Sequence, residues 1–182
     1  MTRLTTLSIL MTILLWFLPD PAQSHDYFTA DQDPGIQTYL HIVDANHTEK
    51  VLGWVQQGRM GNAIDDLKYT LDRFPNHPKA LMLMGSVAKI TKKIPLAIAY
   101  YEKAVKLFPE YALTQAQYGS YLVDIGNTQA GIGKLKKAIE MDPKLAQAHA
   151  WLAKAYYKSG NPGLGRQEAE QAAALGYKSK IQ

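Results

Sequence analysis

The feature that most constrains this chain is a spacing of 34 residues, at which several of its small residues and prolines recur. One series holds the prolines Pro75, Pro109 and Pro143. The small residues of the other three series are Thr70, Ala104, Ala138 and Ala172; Ala63, Ala97, Gly131 and Gly165; and Gly85, Gly119 and Ala153. Four series with one period predict an array of similar units, each of which buries its apolar face against its neighbours.

Each unit is predicted to be a pair of antiparallel helices joined by a short turn. Alanine and leucine are plentiful, and both favour helix because small and straight-chain side chains lose little rotamer freedom there. Gly58, Gly126 and Gly160 stand at equivalent positions, where a glycine can take the left-handed conformation that ends a helix. Lys92 replaces glycine in the second unit, so we expect its turn to close differently.

The packing of the units is predicted from the same series. Small side chains where helices cross let two backbones approach closely, and Leu67, Tyr101 and Leu135 are expected to fill the layer between units. The prolines of the series are expected to begin the next helix, where a missing N–H costs nothing. Asp142 is expected to cap the helix that begins at Pro143.

The period of 34, with its order of small, aromatic, small and proline residues, resembles the tetratricopeptide repeat. The matching residues are Leu81, Gly85, Ala97, Tyr101, Ala104 and Pro109 in the second unit; Gly119, Gly131, Leu135, Ala138 and Pro143 in the third; and Ala153, Tyr156, Gly165, Ala169 and Ala172 in the fourth. The resemblance implies an all-α, right-handed solenoid of four helix pairs, residues 44–77, 78–111, 112–145 and 146–179. It implies a binding or scaffold role, as in exported repeat proteins that support cytochrome maturation, pilus assembly or polysaccharide secretion, without choosing among these.

Residues 1–24 have the pattern of a cleavable export signal. Arg3 precedes an apolar run of about 15 residues, which is shorter than the roughly 20 residues that span a bilayer. Prolines end the run, and the small residues of Ala22-Gln23-Ser24 predict cleavage after Ser24. We expect a periplasmic or secreted protein, with retention of the segment as an anchor as the alternative. Residues 25–43 are predicted to hold a capping helix that begins at Asp33-Pro34.

The first helix of each unit is expected to line the concave side of the array. Positions 2, 5, 9 and 12 of a unit share one face of that helix. The binding surface predicted from them consists of Lys79, Met82, Ser86, Lys89, Leu113, Ala116, Ser120, Val123, Lys154 and Tyr157, with Lys158 adjacent. Apolar and basic side chains, with Asp124 at the edge, predict a protein or peptide partner with apolar anchors and some negative charge. The alternative is that the lysines are ordinary solvated surface.

No motif predicts catalysis, a cofactor or nucleic-acid binding. The chain has no cysteine, which excludes disulfides and thiolate metal sites. The serines lack a nucleophile-elbow setting, and the glycine-rich turns lack the lysine–serine ending of a phosphate loop. The formal net charge is +4 without an arginine-rich tract, so nucleic acid is not an expected partner. We do not expect the chain to bind a membrane after cleavage.

Histidines near the N-terminus suggest an alternative function, a metal-binding or enzymatic accessory role. His41, Asp44 and His47 are spaced by three, but the two histidines diverge by roughly 120° around a helix, too far for one ion. His25 would become the mature N-terminus, whose amine and imidazole could chelate copper, yet a second histidine on a rigid scaffold is missing. We therefore predict no metal site, and keep a metal-binding or enzymatic accessory role as the alternative. Self-association through the ends or the convex side is a further possibility.

Overall fold

The computed structural model describes residues 23–181, and the described chain is helical. Its nine α-helices are α1 Pro34–Asn46, α2 Val51–Gln56, α3 Met60–Arg73, α4 Pro78–Ile90, α5 Ile94–Leu107, α6 Ala112–Asp124, α7 Thr128–Met141, α8 Ala146–Lys158 and α9 Pro162–Ala174. Two 3₁₀ helices, Tyr27–Gln32 and Thr48–Lys50, precede α1 and α2. The predicted all-α fold of helix pairs is confirmed. The predicted export signal lies outside the described residues, apart from Gln23 and Ser24.

The helices form two compact units, one ending at His77 and one beginning at Pro78. We call them the N-terminal unit and the C-terminal unit. In the N-terminal unit, Ala30, Val43 and Phe74 form a buried cluster against which Tyr39 and Tyr69 pack. The helix predicted at Asp33-Pro34 is present, since the Asp33 carboxylate accepts hydrogen bonds from the N–H groups of Gly35 and Ile36.

The C-terminal unit contains three helix pairs, α4 with α5, α6 with α7, and α8 with α9. Its buried cluster consists of Ala116, Val123, Ile132, Leu135, Ala138, Ala148, Leu152, Ala155 and Tyr156. At the α6–α7 crossing a Cβ on Gly119 would lie 2.9 Å from Gly131 O, and one on Gly131 would lie 2.7 Å from Gly119 O. The two backbones therefore touch, as the small-residue series predicted.

Lys92 closes its turn in the same way as the glycines, so the prediction of a different closure is wrong. Its φ of 57° lies in the left-handed region with those of Gly126 (92°) and Gly160 (76°). The hydrogen bonds also correspond, because Lys93 N–H donates to Ala88 O as Asn127 N–H donates to Leu122 O. The non-glycine residue accepts conformational strain to keep a turn that the fold requires.

The prolines of the series do not begin helices, which corrects a second prediction. Pro75, Pro109 and Pro143 lie in the turns, and the next helices begin three residues later. Leu145 N–H donates to Asp142 O, so Pro143 occupies the second position of a β-turn, where its fixed φ is favourable. The Asp142 carboxylate accepts from Lys144 N–H within that turn and does not cap a helix.

Candidate functional site

The C-terminal unit has a cavity of about 90 Å³ between the first helices of its pairs. Its lining residues are Met82, Gly85, Ser86 and Lys89 of α4, Tyr101 of α5, Gln117, Ser120, Tyr121 and Asp124 of α6, and Trp151 of α8. Pockets for small-molecule ligands usually measure several hundred Å³. This cavity therefore suits one side chain of a larger partner better than a whole metabolite.

Part of the predicted binding surface lies at this cavity. Met82, Ser86, Lys89 and Ser120 line it. Met82 is 51% exposed, so an apolar side chain at the edge of the cavity is accessible to a partner. Among the other predicted residues, the structure leaves Lys79, Lys154 and Lys158 exposed and Leu113 half-buried.

Three residues of the predicted surface pack inside the unit instead. Ala116 is fully buried and Val123 is 2% exposed, both within the hydrophobic cluster. A Cβ added to Gly131 would lie 2.5 Å from Val123 Cγ2, and one added to Gly165 would lie 2.8 Å from the Tyr157 ring. Val123 and Tyr157 thus point at the second helix of their own pair. Ala116 and Val123 therefore do not belong to a docking surface, and Tyr157 remains half-buried against its own helix pair.

Asp124 neutralises part of the predicted basic surface. Its carboxylate lies 3.0 Å from Lys89 Nζ and 3.5 Å from Lys154 Nζ. Burial acts to raise the pKa of Asp124, but the hydrogen bonds and charges of Lys89 and Lys154 outweigh it and lower the pKa below its ordinary value. Lys158 Nζ donates to Val123 O at 2.9 Å. Three of the predicted lysines therefore already have partners within the unit.

Stacked tyrosines form a wall beside the cavity. The Tyr101 ring stacks on Tyr118 and on Tyr121, with centroids 5.4 and 5.3 Å apart, and its hydroxyl donates to Leu81 O. Burial, with Tyr121 and Asp124 nearby, raises the pKa of Tyr101. Burial and the Glu102 carboxylate raise the pKa of Tyr118 to about 12. These phenols are neutral at physiological pH and act as packing and hydrogen-bonding groups.

Two cavity-lining side chains carry polar atoms without a partner in the described residues. Gln117 Nε2 donates to Pro78 O, which fixes the amide orientation, and its Oε1 has no hydrogen bond. The hydroxyl of Tyr121 has none either. An unsatisfied buried polar atom is costly, so these two atoms mark the least satisfied part of the cavity lining.

A second cleft, of about 480 Å³, adjoins α8. It is lined by Ala150, Trp151 and Lys154 of α8 and by Tyr177, Lys180 and Ile181 of the following segment. Trp151 borders both cavities. Two lysines beside two aromatic rings suit an acidic segment that carries an apolar side chain.

The binding surface predicted from the sequence does not include Gln117, Tyr121 or Trp151. Gln117 and Trp151 both hold the sixth position of their units, four residues after position 2 and three before position 9. That spacing places the sixth position on the same helical face. The signal for Gln117 and Trp151 was therefore present in the sequence.

The histidines pair with carboxylates on neighbouring elements. His47 Nδ1 lies 2.7 Å from Asp66, and His77 Nε2 lies 2.8 Å from Asp44. Asp44 and His47, two members of the trio considered as metal ligands, therefore have separate partners. Among residues 23–181 no group of three or more histidines and carboxylates is placed to hold a metal. No helix in that range has the length and apolarity needed to cross a bilayer.

Small-residue crossings, left-handed turns and a 34-residue interval define a helical-repeat protein. Two family models match it: one described as TPR repeat over residues 119–160, and one described as tetratricopeptide repeat over residues 55–112. The chain is a tetratricopeptide-repeat protein, as its period predicted. Repeats of this family bind proteins or peptides.

Solved structures with the same fold support this assignment. MamA is 21% identical, with 81% of this chain and 90% of that chain covered at a TM-score of 0.52. PilF of Pseudomonas aeruginosa is 18% identical, with 77% of this chain and 64% of that chain covered at a TM-score of 0.59. A thermophilic TPR protein of Thermus thermophilus is 19% identical, with 73% of this chain and 74% of that chain covered at a TM-score of 0.55. No curated protein sequence matches this chain.

Proposed function

We propose that this protein is an exported, non-enzymatic scaffold that binds an extended segment of a partner protein on the C-terminal unit. The binding surface, which we call the α4–α6–α8 face, consists of the cavity and the second cleft. The observation that carries the proposal is the exposed Met82 beside a cavity whose lining includes the unpartnered polar atoms of Gln117 and Tyr121. The export signal predicted in residues 1–24 supports a role in assembling a complex of the cell envelope.

The chemistry of this face describes the partner. Met82 and Trp151 offer apolar contacts at the cavity. Negative charge is best placed at the second cleft, beside Lys180 and Lys154, because Asp124 lies closer to Lys89 (3.0 Å) than to Lys154 (3.5 Å). The segment is therefore acidic at one end and has an apolar anchor.

The expected affinity is modest. One unit face with a side-chain-sized cavity buries less surface than the roughly 1,200–2,000 Å² of a stable protein–protein interface. Dissociation constants of about 1–100 μM follow unless a folded surface of the partner also docks. Such affinities suit a scaffold that assembles and releases its components.

Selection of displayed peptides on the purified mature protein tests the proposal. We expect enriched peptides that combine acidic residues with one large apolar residue. Met82→Ser should weaken a selected peptide about tenfold, since central apolar anchors carry most of the binding energy. Leu164→Ser is the matched control, because Leu164 is equally an exposed helix residue (46%) and does not line the cavity. Equal loss in both variants, or enrichment of basic peptides, would contradict the proposal.

The alternative metal-binding or enzymatic accessory role of the N-terminal histidine segment has less support. His47 and His77 are engaged with carboxylates, and the His25 ring is buried between Tyr39 and Phe74. Native mass spectrometry of the mature protein with copper or zinc addresses this role directly. A stoichiometric metal adduct would favour it over a purely scaffolding function.

A further inference from the structure

Residues 24–28 are tied to the end of α3 and to the turn after it by hydrogen bonds that span about fifty residues of sequence. His25 N–H donates to Arg73 O at 2.6 Å, and Ser24 Oγ donates to Asp72 O at 3.2 Å. Tyr27 N–H donates to Asn76 Oδ1 at 2.9 Å. Residues 24–27 are therefore an integral part of the folded N-terminal unit.

Within the same segment the His25 side chain is buried. His25 is only 7% exposed, and its ring lies 5.9 Å from that of Tyr39 and 5.6 Å from that of Phe74. Asn76 is fully buried and donates from Nδ2 to Asp26 Oδ1 at 2.6 Å. A peptidase needs an accessible, extended backbone, so cleavage depends on burial and hydrogen bonding of the bond concerned.

We propose that folding of the N-terminal unit shields the Ser24–His25 bond, so that residues 1–24 must be removed before this unit folds. The proposal rests on the export signal in the proposed function. Hydrolysis adds water across the bond, leaving a carboxylate on Ser24 and an amine on His25. That amine takes the place of the His25 N–H at Arg73 O.

The end of α3 is a favourable place for the new amine. Arg73 is the last residue of α3, and the carbonyls of a helix C-terminus carry partial negative charge. An ammonium group there gains a charge-assisted hydrogen bond in place of a neutral one. Processing therefore completes the packing of the N-terminal unit at the point where the leader leaves.

Cleavage of the full-length precursor by purified signal peptidase, followed by intact mass, tests the proposal. We expect the folded precursor to be cut at least tenfold more slowly than a Phe74→Asp precursor, whose buried charge keeps the N-terminal unit unfolded. Asn76→Ala, which removes the bonds to Asp26 and Tyr27, should give an intermediate rate. Asn62→Ala, an exposed position on α3, is the matched control and should behave like the unaltered chain.

The outcomes distinguish the shielding proposal from the predicted export signal. Equal cleavage of folded and Phe74→Asp precursors overturns the shielding and leaves the export signal standing. Absence of cleavage after Ser24 in every precursor overturns the export signal, and this proposal with it. Hydrogen exchange on the folded precursor gives a second readout, in which the amides of residues 25 and 27 should be as protected as those of α3.

Discussion

His149 Nδ1 lies 2.7 Å from Glu168 Oε2, and the same imidazole places Nε2 3.1 Å from Pro143 O. His47 and Asp66 form an equivalent pair at 2.7 Å. Each carboxylate follows its histidine by 19 residues, and the two pairs are three 34-residue periods apart. A histidine–carboxylate pair thus joins the first and second halves of the first and fourth predicted repeats.

His149 should stabilise the C-terminal unit through both of these contacts. We expect His149→Ala to lower the free energy of unfolding by about 1–3 kcal/mol, because it removes a buried imidazole together with its contacts to Glu168 and Pro143. Gln147→Ala, at an exposed position on the same helix, should change it by less than about 0.5 kcal/mol. Urea denaturation followed by circular dichroism measures both. Equal effects of the two substitutions would show that the pair contributes nothing specific.

Lys92→Gly should stabilise the protein. Lys92 holds φ at 57°, a conformation that costs a non-glycine residue roughly 1 kcal/mol and costs glycine almost nothing. Lys93→Gly is the control, since Lys93 has an ordinary φ of −96° and should gain nothing from glycine. An increase of several degrees in the melting temperature for Lys92→Gly alone is the expected result. No increase would mean that the lysine makes compensating contacts.

Gly131→Ala should destabilise the α6–α7 pair. The added methyl group would lie 2.5 Å from Val123 Cγ2 and 2.7 Å from Gly119 O, and overpacking of this kind costs about 1–3 kcal/mol. Gly133→Ala, on the same helix with nothing within 4 Å of its new Cβ, should instead gain up to about 1 kcal/mol of helix propensity. Thermal unfolding of the two variants should therefore shift in opposite directions. Shifts of the same sign would refute the close crossing.

Asp124 should make stability depend on pH in the acid range. Lys89 and Lys154 lower the pKa of Asp124 in the folded state. The ionised carboxylate therefore stabilises the fold at pH values above the ordinary carboxyl pKa of about 4. This stabilisation is lost as the pH falls through the folded-state pKa. We expect the stability difference between the unaltered protein and Asp124→Asn to shrink as pH falls from 6 to about 2. Asp65→Asn, at an exposed position on α3, is the control. A difference that is constant with pH would contradict the lysine contacts.

Repetition made the fold predictable from the sequence. The 34-residue series identified the helix pairs, and the touching backbones at Gly119 and Gly131 are what such small residues imply. The helix-start pattern Asp33-Pro34 predicted the start of α1 correctly. Periodicity reports packing that every unit shares, so it predicts the architecture well.

The site was less predictable, because it depends on what differs between units. Position 12 holds Lys89, Val123 and Tyr157, and whether that side chain reaches solvent depends on the size of the residue across the helix crossing. The salt bridge between Lys89 and Asp124 joins positions 35 residues apart, which helical spacing within one unit does not reveal. Lys92 shows the same limit, since a turn can impose its conformation on an unfavourable residue.

Photocrosslinking in the native envelope tests the central claim most directly. A photoreactive amino acid at Ser86, which lines the cavity, should capture one defined partner, and Trp151→Ala should reduce that product. The same amino acid at Lys136, an exposed position on α7, should not capture it. If both positions give the same products, or Trp151→Ala leaves the product at Ser86 unchanged, the α4–α6–α8 face is not the binding surface.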